Sequence, residues 1–434
     1  MPLFLVLLIY NALLPLVLVV LLPVSAVKMR RRGGYGAKFW QRFGLFDGAT
    51  KEGLAAVAGR CRWVHAVSVG EVNVARKLIG ELLRAEPEVP VVLSVTTSTG
   101  YAVAAEGAPG GVQVIYSPVD LPGVVGRVFR RLRPRQLILV EAEMWPNLLR
   151  CAGRAGVPVA LVNARLSPRS EGRYRRFRGL AAPIFGMLDQ VMVQEAEDAG
   201  RWERLGVAAQ ALQVVGSIKF DQEGQAASAP ERVAAFRELL GEAFGMGEAL
   251  RVVLAASTHP GEEVALARLW KEVGPEFPGV RLLLAPRHAE RRGEVLAAVG
   301  AVGWSVALRS ELRAGAEVVV IDSTGELRDW QALAEVVIVG KSFLAKGGQN
   351  PAEAIAAGVA VVTGPHMENF AALMQVLGAA GGVQRVAGLE ELGGALRELL
   401  GKPEAARAMA ERGRQALAGH AGATARTAAR LRLA

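Results

Sequence analysis

From about residue 60 onward, short runs rich in Val, Ile and Leu alternate with longer Ala, Leu, Arg and Glu segments whose apolar residues recur at helical spacing. A strand covered on both faces reads as a continuous apolar run, and strand, helix, strand is the repeating unit of a parallel sheet. The pattern therefore predicts an α/β fold with parallel sheets between helical layers. Strands are expected at 63–69, 89–96, 112–116, 136–140, 157–162, 190–193 and 212–215, and again at 251–255, 280–285, 317–321, 336–339 and 359–362. Between the two sets, residues 221–230 are polar, rich in Ala and Ser, and end in Pro230, which reads as an interdomain connection. The expected division is a first domain over 33–220, a linker over 221–250 and a second domain over 251–434. With 434 residues, 51% hydrophobic and 21% charged, the chain can bury two cores. No repeat of fixed period is visible, which disfavours a solenoid.

The N-terminal segment carries its own expectation. Pro2 to Val27 contains no charged side chain, and Lys28, Arg30, Arg31 and Arg32 follow at once. Such a run is long enough to reach across a hydrocarbon core, and a basic cluster behind it stays on the cytoplasmic side. Residues 1–32 are thus expected to form a membrane-anchor helix with a basic flank. It would touch membrane lipids and hold the protein at the inner (cytoplasmic) membrane by a single anchor, with the domains facing the cytoplasm. A cleaved signal peptide has the reverse order, charges first. The two cysteines, Cys61 and Cys151, lack the spacing of a disulfide framework or a zinc site.

A net charge of +10 attracts anions, and Arg-rich stretches at 127–135 and 165–178 carry much of it. No nucleic-acid motif accompanies them, so nucleic acid is not an expected partner. A dinucleotide fingerprint is missing after the first strand of either half. Gly340, Lys341 and Ser342 mimic the tail of a phosphate-binding loop, but Glu335 occupies the place of its first glycine. The five histidines show no HExxH spacing, and no metal or cofactor is expected.

Ligands of open parallel sheets bind beyond the carboxyl ends of the strands, so the residues just after each strand carry the most weight. In the first half these are Ser68, Gly70 and Glu71; then Glu141 and Glu143; then Asn163 and Arg165; then Ser217 and Lys219. A carboxylate at a helix start also complements the helix dipole, and that reading stays open for all three glutamates. In the second half, Ser257, Thr258 and His259, then Pro286, Arg287 and His288, supply hydroxyl, imidazole and guanidinium groups suited to phosphate oxygens. Thr324, Gly325 and Glu326 follow, and then Gly347, Gly348, Gln349, Asn350, Pro351, Ala352 and Glu353, where the glycines free backbone amides and Glu353 can accept ribose hydroxyls. Together the four groups point to a nucleotide cleft.

Taken in order, VHAVSVGE, EAEMWPN, NARLS, GSIKFD, STHPGEE, PRH, GGQNPAEA and GPHMENF resemble the transferases that add 3-deoxy-D-manno-octulosonic acid (Kdo) to lipid A precursors. The resemblance implies a GT-B fold, two facing Rossmann-like domains behind an N-terminal membrane anchor. It also implies inverting transfer of Kdo from CMP-Kdo to lipid IVA in lipopolysaccharide core biosynthesis, without a metal. Glu71 matches the family's catalytic base, and Glu141 and Lys219 match positions assigned to transition-state stabilisation. Pro286, Arg287, Thr324 to Glu326 and Asn350 to Glu353 match CMP-binding stretches. Ser68, Gly70, Asn163 and Arg165 fall on the acceptor side, where the basic cluster offers a home for phosphates. Two departures are visible: Lys341 stands where the family commonly has a glycine, and Gln349 replaces the histidine of GGHN. An alternative keeps the fold and changes the sugar nucleotide, as in a related GT-B transferase or an enzyme of the UDP-GlcNAc epimerase type. A third reading is a nucleotide-binding protein without turnover.

Overall fold

All twelve runs read as strands form strands, and each pairs parallel with its neighbours. The computed structural model describes residues 1–32, 36, 38–166, 168–221 and 229–432. It divides into two units, Met1–Asp221 with Gly422–Ala434, and Gln222–Ala421.

In the first unit the strands are β1 (Arg62–Ala66), β2 (Val91–Val95), β3 (Val112–Tyr116), β4 (Gln136–Val140), β5 (Val159–Ala164), β6 (Gln190–Val193) and β7 (Leu212–Val214), in the order β3-β2-β1-β4-β5-β6-β7. Strands β1, β2, β4 and β5 are buried along their whole length, as strands covered on both faces must be. Alternate residues feed two cores. Trp63, Val92, Leu137, Leu139 and Leu161 pack into one, and Val64, Leu93, Ile138, Val140 and Val162 into the other.

In the second unit β8 (Arg251–Thr258), β9 (Val280–Pro286), β10 (Val306–Leu308), β11 (Val318–Val320), β12 (Val336–Val339), β13 (Ala360–Thr363) and β14 (Gln384–Arg385) take the order β10-β11-β9-β8-β12-β13-β14. Strands β10 and β14, three and two residues long, are too short for a sequence pattern to announce. Of the stretch read as a connection, 222–228 lie outside the described residues, while Pro230–Phe244 forms a helix of the second unit. It is seated by Phe236, whose ring stacks on Trp330 with centroids 4.0 Å apart.

The chain returns to the first unit at its end. Asp221 accepts the backbone N–H of Gly422 at 3.0 Å and of Thr424 at 2.7 Å. The helix Ala423–Arg432 then buries Thr427, Ala428 and Leu431, and the Leu431 carbonyl accepts Gln136 Nε2 at 3.2 Å.

The membrane anchor is corrected. Among the described residues no helix is long and apolar enough to cross a membrane. The single anchor at the inner membrane is withdrawn with it, and the expected contact with membrane lipids loses the spanning helix that supported it. The N-terminal helix, Leu3–Arg32, lies against the first unit, with Val6 and Leu7 buried and Asn11 hydrogen-bonded to Asn147. The uncharged run thus serves in part as a docking face, and a polar residue inside it finds its partner in the protein. The side chains of Lys28, Arg30, Arg31 and Arg32 lie outside those described.

Trp330 is fully buried against Phe236. Trp330→Ala is expected to cost the second unit about 3–5 kcal/mol. In a urea titration, the transition of the second unit should move to lower concentration while that of the first stays in place.

Candidate active site

Each sheet reverses its strand order beside the first strand of its unit, between β1 and β4 and between β8 and β12. At such a point the loops leave in opposite directions and open a crevice at the carboxyl ends. Five non-glycine residues among those described have a positive φ, and four sit at or just past these carboxyl ends. Glu141 (65°) follows β4, Asn163 (53°) lies near the end of β5, Ser257 (56°) near the end of β8, and Lys341 (56°) after β12. The left-handed region costs an L-residue about 1–2 kcal/mol, and strain of this kind concentrates at functional sites.

In the first unit, β1 runs into Val67 and Ser68, and Ser68 caps the helix Val69–Ala85. Its hydroxyl accepts the Glu71 N–H at 3.4 Å and donates to Glu71 Oε1 at 2.8 Å, while Glu71 Oε2 accepts the Val67 N–H at 2.7 Å. This is a capping arrangement built from Ser and a Glu three residues on. The helix-start reading of Glu71 therefore holds, and it fixes the carboxylate in place. Beside it, a Cβ added at Gly70 would meet only Ser68 Oγ, at 3.8 Å, so the backbone there is open.

Burial pushes the Glu71 carboxyl above its ordinary range; the bonds from Val67 and Ser68 oppose this, and the charge of Glu141 adds to it. Glu143, singled out with Glu141 in the sequence but given no role by the resemblance, is pushed up to about 7 by burial and then by the Glu71 and Glu141 charges. Burial also raises Glu141, against the pull of Lys219 and Arg165. Three carboxylates and two cations thus share one electrostatic neighbourhood at the β1/β4 reversal. Asn163 is buried, and its Oδ1 accepts the Ile218 N–H at 3.0 Å and the Ser217 hydroxyl at 3.3 Å. It holds the turn that carries Lys219. Its Nδ2 is buried with no partner among the described residues.

In the second unit a residue that sequence reasoning passed over organises the site. Glu262 is 1% exposed, and its carboxylate gathers the backbone N–H groups of His259 (2.9 Å), Lys341 (2.7 Å) and Phe343 (3.2 Å). It ties the loop after β8 to the loop after β12. Its neighbour Glu263 accepts the Thr258 hydroxyl at 2.9 Å and Arg291 at 2.8 Å. The two loops approach so closely that a Cβ at Gly340 would lie 2.3 Å from the Ser257 carbonyl. Gln349 Nε2 lies 3.1 Å from His259 Nε2. Burial, then the Lys341 charge, hold that imidazole below its usual range, so a neutral ring accepts from the amide.

Gly347 and Gly348 both have positive φ, and a Cβ at Gly348 would fall 2.4 Å from Met367 Sδ. Asn350 Oδ1 accepts the Ala352 N–H at 3.1 Å, and Asn350 Nδ2 donates to Glu353 at 3.4 Å; Pro351 precedes the short helix Ala352–Ala356. Ser257, Thr258, His259, Lys341 and Gln349 are therefore brought together. Pro286, Arg287 and His288 join them from β9: the Arg287 N–H donates to the Thr258 carbonyl at 3.0 Å, and the His288 ring stands edge-on to His259 at 6.5 Å. Thr324, Gly325 and Glu326 follow β11, one strand further out. There Glu326 binds Ser323 and Arg309, and no hydrogen bond joins it to the His259 group among the described residues.

Residues 37–222 match the family model described as 3-Deoxy-D-manno-octulosonic-acid transferase (kdotransferase). Over 416 residues the chain is 37% identical to the 3-deoxy-D-manno-octulosonic acid transferase of Bordetella pertussis, covering 92% of each. Over 359 residues it is 28% identical to that of Haemophilus influenzae, covering 81% of this chain and 80% of the relative. A crystal structure of a C-terminal CMP-Kdo binding domain from Acinetobacter baumannii is 26% identical with a TM-score of 0.40, covering 43% of this chain and 96% of that one.

Lys341 holds the left-handed conformation that glycine adopts freely, at φ 56°. Lys341→Gly should be more stable than Lys341→Ala by about 1 kcal/mol, because alanine keeps the Cβ clash that glycine lacks. Equal thermal midpoints for the two variants would contradict this.

Proposed function

This chain belongs to the Kdo transferase family and is a glycosyltransferase of that family, and from that premise we propose that it moves Kdo from CMP-Kdo to lipid IVA, the lipid A precursor, in lipopolysaccharide core biosynthesis. The observation that carries the reading is the buried carboxylate group at the β1/β4 reversal, with Glu71 held by Val67 and Ser68 and with Lys219 and Arg165 acting on Glu141. Glu71 takes the proton of the acceptor hydroxyl, and that oxygen forms a bond to the anomeric carbon of Kdo. The bond from that carbon to the CMP phosphate breaks, the electron pair leaves with the phosphate, and the anomeric centre inverts. Lys219 stabilises the departing phosphate charge, and Glu141 faces the positive charge that develops on the sugar. Arg165 binds a phosphate of the acceptor, with Ser68 and Gly70 lining its approach. Ser257 to His259, Pro286 to His288, Thr324 to Glu326 and Gly347 to Glu353 hold the nucleotide. In this chain Gln349 does so through its bond to His259, in place of the family's histidine.

The purified protein should convert CMP-Kdo and tetraacylated lipid A precursor to a Kdo-lipid product. Glu71→Gln, folded by circular dichroism, should lose about 10²–10⁴-fold in kcat, the scale of a positioned general base. Equal turnover by this variant would remove Glu71 from the mechanism.

The base works ionised, so activity falls as pH drops through its pKa. Because burial and the Glu141 charge raise that pKa above the ordinary 4.5, the acid limb of kcat/KM should lie above 4.5. Glu141→Gln removes a like charge, so in whatever turnover it retains the limb should move to lower pH. A limb that stays in place, or moves up, would uncouple the two carboxylates.

A further inference from the structure

The N-terminal helix Leu3–Arg32 meets the first unit through polar groups as well as through Val6 and Leu7. Asn11 and Asn147 exchange amide hydrogen bonds: Asn11 Nδ2 donates to Asn147 Oδ1 at 3.1 Å, and Asn147 Nδ2 donates to Asn11 Oδ1 at 2.7 Å. One residue earlier, the Tyr10 side chain neighbours Asp120, and burial together with the Asp120 charge pushes the tyrosine hydroxyl above its ordinary range. Asp120 is 3% exposed and in turn accepts the backbone N–H of Asn147 at 3.0 Å and of Leu148 at 2.9 Å, and its carbonyl accepts Asn147 Nδ2.

Those backbone amides belong to the first turn of the helix Pro146–Ala155, whose preceding residue, Trp145, offers no side-chain cap. Asp120 supplies the cap from a distant loop. That helix starts directly after the turn 141–145, which carries Glu141 and Glu143. Trp145, the last residue of the turn, has its ring edge-on to His65 at 6.4 Å, so the turn is pinned at that end between β1 and the helix start. Four residues, Tyr10, Asn11, Asp120 and Asn147, thus link the N-terminal helix to a point six positions from Glu141. Asn147 is 1% exposed, so removing Asn11 strands a buried carbonyl that water does not readily reach. Such a group is expensive to leave unpaired and shifts to find another partner.

We propose that the N-terminal helix is a positioning element of the reaction: Tyr10 and Asn11 lock the Asp120–Asn147 clasp that fixes the start of helix Pro146–Ala155, and with it the turn bearing Glu141 and Glu143. The proposal rests on the assignment of Glu141 to the reacting centre. Tyr10 and Asn11 act through Asp120 and Asn147.

The test uses Asn11→Leu, Tyr10→Phe, Asn147→Ala and the Asn11→Leu/Asn147→Ala pair in the full chain. With CMP-Kdo and saturating acceptor, and with rates normalised to folded protein, Asn11→Leu should lower kcat about tenfold and leave KM for CMP-Kdo within about twofold. The double variant should lose no more than Asn147→Ala alone, since both changes break one link. Hydrogen exchange gives a reading independent of turnover: the backbone amides of 141–145, 147 and 148 should exchange about tenfold faster in Asn11→Leu. Unchanged exchange, unchanged kcat in an active enzyme, or losses that add in the double variant would each overturn the clasp. If Asn11→Leu does not fold, Tyr10→Phe, which removes a single oxygen, carries the same expectations. A wild-type protein that does not use CMP-Kdo is a failure of the assigned reaction, and the exchange measurement still decides the clasp.

Discussion

The parallel pairing of β1 with β4, and of β8 with β12, is the constraint on which the rest is built. Each pair joins strands whose onward connections run to opposite sides of the sheet, so nothing crosses above their carboxyl ends. The backbone leaving those ends has to turn away within one or two residues. In three places it does so through a left-handed residue that keeps its side chain, at Glu141, Ser257 and Lys341, and Asn163 does the same near the end of the neighbouring β5. A glycine would turn with less strain but would bring no carboxylate, amide, hydroxyl or ammonium. At these positions the chain accepts strain and retains chemistry.

Around these turns the fold uses buried carboxylates as fasteners for backbone. Glu71 binds Val67 and Ser68; Asp120 binds Asn147 and Leu148; Asp221 binds Gly422 and Thr424; Glu262 binds His259, Lys341 and Phe343. A buried charge is tolerable only when such donors replace its water, and the same donors set how rigidly the local backbone is held. Glu71 shows the balance openly: its two donors offset only part of the burial, so its acidity remains weakened. A fastener that is also weakened as an acid is well suited to taking up a proton.

Much of this was legible in the residues. Continuous apolar runs located twelve strands because a strand buried on both faces has little freedom of composition, and polar residues just after them marked Glu71, Glu141 and Lys219. The departure at Lys341 was visible as well, and the structure supplies its meaning, since φ 56° is where glycine is at ease. What stayed hidden depended on partners far along the chain. Glu262, in the first turn of a helix, reads as a dipole-complementing residue until Lys341 and Phe343 arrive 79 and 81 positions later. The N-terminal run failed for the same reason. Hydropathy counts Tyr10 and Asn11 as flaws in a membrane span, whereas Asn11 is matched to Asn147 across 136 positions. No local pattern announces either pairing.

The closing helix Ala423–Arg432 has a consequence for how the protein is made. Asp221 and Gln136 wait for partners 203 and 295 positions further along the chain, and the helix they receive covers part of a core of the first unit. At roughly 5–20 residues per second, the intervening 200 residues take about 10–40 s to emerge. Through that interval the nascent first unit exposes an apolar seam beside the helix Val69–Ala85, where Ala428 and Leu431 later pack, so the first unit is completed only after the second has been made.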